Sequence, residues 1–159
     1  MRYQILKINT NAPAINLNST SGNSYSLKDS IGKYVILYFY PKDDTPGCTI
    51  ETNDFNKLLI KFKKLNCNVF DVSKDALKSH NKFKEKYKIK FDLLADDELK
   101  IVKKYKVWAK KKFMGREFMG VVRSTFLVDP KGKIVKIWNN VKVKGHAKEV
   151  LDTLKSIQK

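Results

Sequence analysis

The sequence predicts a mixed-sheet α/β domain, a central sheet flanked by helices, spanning residues 1–159 as one unit. Three observations predict it. Tyr34–Tyr40 is an uninterrupted apolar run, as in a strand buried on both faces. Strand-like and helix-like periodicities alternate after it, and the chain closes with a hairpin and a helix. The length suffices for a sizeable core. With 42% hydrophobic residues and seven glycines, disordered and collagen-like architectures are excluded. No run approaches the roughly eighteen apolar residues of a membrane-spanning helix.

The first thirty residues, rich in Asn, Ser and Thr, read as an N-terminal β-hairpin turning at Ser21-Gly22-Asn23. The apolar strand follows, then Pro41-Lys42-Asp43-Asp44, then a helix whose Phe55, Leu58, Leu59 and Phe62 keep the 3.6-residue period. Cys67 to Val72 reads as a strand. Ala76, His80, Phe83 and Tyr87 form one stripe of a second helix, and Leu99 to Tyr105 a short third. Val121–Val128 and Ile134–Trp138 flank Asp129-Pro130-Lys131-Gly132 as a hairpin. Ala147, Val150, Leu151 and Leu154 mark the closing helix.

The net charge is +17, from 33 basic residues against 16 acidic. Such a balance suits nucleic acid, an anionic surface or acidic substrates. Only Arg2, Arg116 and Arg123 are arginines, whereas base readout and phosphate forks favour arginine. Lys, Asn and Ile share A/T-rich codons, so drifting base composition also explains the bias on solvated faces. A basic nucleic-acid-binding protein is therefore a competing reading, though not the favoured one.

The two cysteines, Cys48 and Cys67, are too few for a secreted disulfide scaffold. No CxxC or Cys/His cluster exists, so a structural zinc site lacks ligands and no metal is expected. His80 and His146 sit in lysine-rich helical stretches and are expected at the surface. Met1-Arg2-Tyr3-Gln4-Ile5-Leu6-Lys7 has no apolar export segment with a cleavage site, which makes the cytoplasm the expected compartment.

Thr45-Pro46 fits a helix N-cap followed by proline at the first helical position. Cys48 then falls in the first turn, where unpaired N–H groups and the helix dipole favour an anion such as a thiolate. The turn follows the C-terminal end of a buried strand, where open α/β sheets place ligands. Cys48 is thus a candidate nucleophile; the competing reading is a small buried hydrophobe.

Pro41-x-x-x-Thr45-x-x-Cys48 matches the active-site motif of the peroxiredoxins, and Tyr38–Thr49 resembles their bacterioferritin-comigratory, or PrxQ, branch. The resemblance continues through Val72-Ser73-Lys74-Asp75, Ser79-His80, Trp108, Lys112–Glu117 and Val122–Asp129, nearly the whole chain. It implies a thioredoxin-like fold and an antioxidant thiol-dependent peroxidase that reduces hydrogen peroxide and organic hydroperoxides without a cofactor. Cys48 would attack a peroxide oxygen and become a sulfenic acid. Arg123 would favour the thiolate and donate to the peroxide, and Glu51 would orient Arg123. Thr45 would offer its hydroxyl to sulfur or peroxide, and Pro41 would shield the sulfur. Each has a plainer reading: structural arginine, surface glutamate, ordinary N-cap, strand terminator.

The branch carries its resolving cysteine at positions that here hold Asn53 or align with Lys84. Cys67 is not expected to replace it. A helix of about eighteen residues spans about 27 Å, which puts the two cysteines at opposite ends of the sheet, whereas a disulfide needs Cα atoms within about 7 Å. The expectation is a one-cysteine enzyme reduced by an external thiol such as thioredoxin, glutaredoxin or glutathione, monomeric and not membrane-bound. A redox sensor or relay using the same cysteine is the other competing reading.

Overall fold

A computed structural model describes residues 6–159; the first five positions of the export reading lie outside it. The chain opens with β1 (Asn16–Ser19) and β2 (Ser24–Ser26), then β3 (Tyr34–Phe39), α1 (Pro46–Lys64), β4 (Cys67–Ser73) and α2 (Leu77–Tyr87). It continues through β5 (Leu93–Ala95), α3 (Lys100–Lys104), β6 (Trp108–Phe113), β7 (Arg116–Val121), β8 (Ser124–Val128), β9 (Ile134–Trp138) and α4 (His146–Ile157). Seven strands form one sheet in the order β2-β1-β5-β4-β3-β8-β9. The β3–β4 and β4–β5 pairs are parallel, whereas β3–β8, β8–β9 and β1–β5 are antiparallel. This is the mixed sheet that the sequence predicts, N-terminal hairpin included.

β3 lies near the middle, and its alternation splits the core in two. Ile36, Tyr38 and Tyr40 join Phe55, Leu59 and Phe62 of α1 and Val150, Leu151 and Leu154 of α4. Val35, Leu37 and Phe39 face the other way, onto Ile101, Val102 and Tyr105 around α3. Burial on both sides explains why β3 reads as a continuous apolar run.

Three readings need correction. His80 and His146 are buried, at 0% and 5% exposure. His80 sits in the apolar stripe of α2, and His146 precedes Val150 by one turn on the packed face of α4. The stripe, not the surrounding lysines, decides their environment. His146 packs its ring against Phe55 and Trp138 and its Nε2 against the Thr125 hydroxyl at 2.7 Å. Burial pushes its pKa down to about 4, so it is neutral.

Val121–Val128 is not one strand. The chain breaks at Val122-Arg123 between β7 and β8, and β6–β7 form a separate two-stranded ribbon. Its lysines and exposed Phe113, Met114 and Phe118 hide any alternation. β5 also has no counterpart in the sequence reading, because three residues are too few to show a period. Among the described residues no helix is long and apolar enough to cross a membrane.

Phe55 carries much of the α1 packing, with its ring against Tyr38, Phe62 and His146. Phe55→Ala should cost about 3–5 kcal/mol in denaturant unfolding; a loss near zero would mean that α1 is not anchored there.

Candidate active site

Cys48 owes its position to the junction between β3 and α1. Thr45 is the N-cap residue, Pro46 occupies the first helical position, and Cys48 is third. Lys61, Lys63 and Lys64 in the last turn complement the other end of the helix dipole. Cys48 is fully buried. Glu51 follows three residues later on the same helix face and is 1% exposed.

Arg123 arrives from the other side. In the β3–β8 register Phe39 pairs with Ser124, so the residue before Ser124 lies where β3 ends and the loop to α1 begins. Its backbone is held on both sides: the Val122 N–H donates to the Val107 carbonyl at 2.7 Å, and the Val141 N–H to the Arg123 carbonyl at 3.0 Å. The guanidinium donates through Nη1 to Glu51 Oε1 at 2.7 Å and through Nη2 to Cys48 Sγ at 3.3 Å. A Cβ on Gly47 would lie 3.1 Å from Arg123 Nη2, so glycine keeps that approach open. The Arg123 side chain remains 17% exposed, while that of Glu51 is fully enclosed.

The electrostatics follow from burial. Burial raises the Glu51 pKa to about 7, with Arg123 pulling it back and Asp54 adding to the rise. Its Oε2 makes no hydrogen bond. For Arg123, burial opposes the charge, but Glu51 and Cys48 outweigh it and the net shift is upward. Lys111 of β6 stands nearby and donates to the Val121 carbonyl at 3.0 Å. Burial, then the positive charge of Arg123, lowers its pKa, with Cys48 opposing.

An open cleft of about 440 Å³ lies against Arg123 and is lined also by Pro41, Lys110, Lys111, Lys112, Val122 and Asn140. The structure therefore brings Cys48, Glu51 and Arg123 into contact, with Pro41 at the rim. Thr45 departs from expectation. Its hydroxyl donates to the Lys42 carbonyl at 2.9 Å rather than toward sulfur, and it makes no side-chain cap bond. Lys111 was not legible in sequence, being one lysine in a run of three.

The distance to the other cysteine is set by α1. Cys67 opens β4 opposite Tyr34, at the start of β3, whereas Cys48 follows its end. Burial raises the Cys67 thiol to about 12. Both cysteines are free.

Residues 8–137 match the model of the AhpC/TSA family. The chain belongs to the AhpC/TSA family. It is 46% identical to Peroxiredoxin Bcp of Bacillus subtilis, over 96% of this chain and 97% of that one. Peroxiredoxin Bcp of Escherichia coli is 35% identical, over 94% and 96%. Among solved structures, the bacterioferritin comigratory protein of Xanthomonas campestris superposes with TM-score 0.87 at 39% identity, over 91% and 92% of the two chains; alkyl peroxide reduction is described for that protein. A PrxQ of Xylella fastidiosa gives TM-score 0.93 at 36% identity, over 98% and 99%. These relatives are Bcp, or PrxQ, peroxiredoxins with a thioredoxin-like fold, and the activity of this chain is that of a thiol-dependent peroxidase.

Glu51 gives a testable pH signature. Its folded pKa, about 7, exceeds the ordinary 4.5, so its contribution to stability is fully present below 4.5 and lost as pH rises to 7. Against Glu51→Gln, the wild type should lose on the order of 3 kcal/mol across that window. Denaturant midpoints from pH 4 to 8 measure it, and parallel curves would mean that Glu51 ionises normally.

Proposed function

We propose that Cys48 is the peroxidatic nucleophile of a one-cysteine peroxidase, and that its oxidised form is reduced by an external thiol. The observation that carries this is Arg123, with one nitrogen on the Cys48 sulfur and the other fixed by Glu51. A guanidinium in contact with the sulfur is placed to donate both to it and to an oxygen bound beside it.

Peroxide enters from the cleft past Pro41 and Arg123. The Cys48 thiolate attacks one peroxide oxygen, an S–O bond forms, and the O–O bond breaks. The departing oxygen leaves as alkoxide or hydroxide and takes a proton from solvent, giving alcohol or water and a sulfenic acid on Cys48. Negative charge moves from sulfur to the departing oxygen, and the partly exposed guanidinium can donate to that oxygen while Glu51 holds its other side. Thr45, whose hydroxyl donates to the Lys42 carbonyl, holds the turn that leads into Cys48 rather than offering that hydrogen to sulfur or peroxide.

No second thiol lies near. An external thiol then attacks the sulfenic sulfur and releases water, leaving a mixed disulfide. A second thiol displaces Cys48 as thiol and leaves as disulfide. Thioredoxin, glutaredoxin and glutathione all supply this chemistry. The cleft, rich in lysine, suits a hydroperoxide substrate with a polar end.

Peroxide consumption with a thiol donor tests the assignment. Cys48→Ser should abolish turnover, while Cys67→Ser should retain most of it; equal loss in two folded variants would overturn the one-cysteine reading. Arg123→Lys keeps the charge and loses the fork that spans Glu51 and sulfur. Its rate of reaction with peroxide should fall about a hundred- to thousandfold, the usual cost of a lost transition-state donor. A near-wild-type rate would make Arg123 structural.

A further inference from the structure

On the far side of the β3–α1 loop lies a buried polar cluster that the chemistry at Cys48 does not touch. His80 of α2 is 0% exposed. Its Nδ1 lies 2.8 Å from Asp43 Oδ2, and its Nε2 lies 3.0 Å from the Leu94 carbonyl. A carboxylate and a carbonyl only accept, so both ring nitrogens must donate and the ring is an imidazolium. Asp43 also accepts from the Tyr40 hydroxyl and, at 2.9 Å, from the Ser79 hydroxyl. Its backbone N–H donates to Asp75 Oδ2 at 2.9 Å, and Ser73 donates to the same oxygen at 2.6 Å.

Asp43 is the third residue of the loop between Tyr40 and Thr45. Its side chain bonds Tyr40, just past the end of β3, and Ser79 and His80 of α2, and its backbone N–H bonds Asp75 in the turn after β4. The next residue, Asp44, has φ 58 and accepts from Lys86 and Tyr87 of α2, both at 2.7 Å. A loop that would otherwise be free is thus tied to one helix at two consecutive residues.

We propose that the Asp43–His80 pair is a positioning device for the peroxidatic cysteine, pinning the loop to α2 and β5 so that Pro41, Thr45 and the first turn of α1 hold Cys48 against Arg123. This rests on the reading of Cys48 as nucleophile. Neither residue contacts Cys48, Glu51 or Arg123, so their effect passes through the backbone of the loop. A charge pair is stable at such depth only if every donor and acceptor is used, and here the ring and Asp43 meet that condition.

The pair also carries a pH dependence. The titratable groups facing His80 are Tyr40 and Asp43 from the end of β3 and its loop, and Asp71 and Asp75 from β4 and the turn after it; β5 presents only the Leu94 carbonyl. Burial lowers the His80 pKa, but the Asp43 bond and the charges of Asp71, Asp43 and Asp75 outweigh it, and the net shift is above 6.5. Asp71 is fully buried and burial raises its pKa, while Asp43 is the carboxylate in direct contact with the ring. The grip is fully present below pH 6.5 and is lost as pH rises through the higher folded value, when one ring nitrogen turns a lone pair toward an acceptor.

The experiment is the second-order rate of peroxide reaction, followed by stopped flow from pH 6 to 10. Wild type, His80→Leu, His80→Asn, Asp43→Asn and Phe83→Leu are compared, each with its melting temperature. His80→Leu and Asp43→Asn should react at least tenfold more slowly. His80→Asn, whose amide nitrogen can occupy the Nδ1 position, should recover part of the rate and lack the alkaline fall of the wild type. Phe83 is buried on the same helix without a polar role, so Phe83→Leu should lower the melting temperature and leave the rate within twofold. A His80→Leu rate within twofold of wild type overturns the proposal. So does an equal rate loss in Phe83→Leu, or the same pH profile in wild type and His80→Asn, which tests the point even if His80→Leu fails to fold. Reaction surviving in Cys48→Ser would instead overturn the nucleophile assignment itself.

Discussion

A buried sulfur and a buried carboxylate share one guanidinium, and much of the remaining structure serves to keep them there. Glu51 is enclosed enough that its proton leaves only near pH 7, so its placement is a cost that packing alone would not favour. Arg123 offsets part of that cost and spends its second nitrogen on Cys48. Its backbone comes from the gap between β7 and β8, where the chain leaves one sheet for another. In the alternation of β8, Arg123 shares its face with Thr125 and Leu127, the face turned toward α1 and α4, and it stands just before the strand, level with the start of α1.

The same helix that presents Cys48 also isolates it. α1 has 19 residues and spans about 28 Å, and the next strand begins at its far end with Cys67. Parallel pairing of β3 and β4 demands such a crossover. The separation of the two cysteines is therefore a consequence of topology rather than of any local choice near the site. With Asn53 and Lys84 at the positions where the sequence resemblance would put a second thiol, the chain has only Cys67 besides Cys48. On the proposed mechanism the reductant must come from outside the chain, and the open lysine-lined cleft is where it would enter.

Long periodic elements were legible in the sequence, and so was the start of α1. Pro46 at the first helical position located Cys48 to the residue, because proline tolerates few other places. Glu51 and Arg123 came from the family motif rather than from spacing, since contacts between residues 72 apart leave no local trace. Short β5 and the lysine-rich β6–β7 ribbon carry too little pattern to be read. The two histidines depart from the surface expectation for a different reason. Lysine-rich neighbours suggest solvent, yet on a helix the residues on the same face decide burial, and for His80 these include the buried Phe83 one turn on. The Asp43–His80 contact joins residues 37 apart and so leaves no local pattern in the sequence.

Intact mass analysis after one equivalent of peroxide, with a sulfenic-acid trap and no reductant, tests the central claim most directly. A chain with no close thiol should gain one oxygen, carry the trap on Cys48, and release it to a mixed disulfide when a small thiol is added instead. Loss of two hydrogens, with a peptide joining Cys48 to Cys67 within one chain, would contradict the account, because α1 as folded keeps those residues apart.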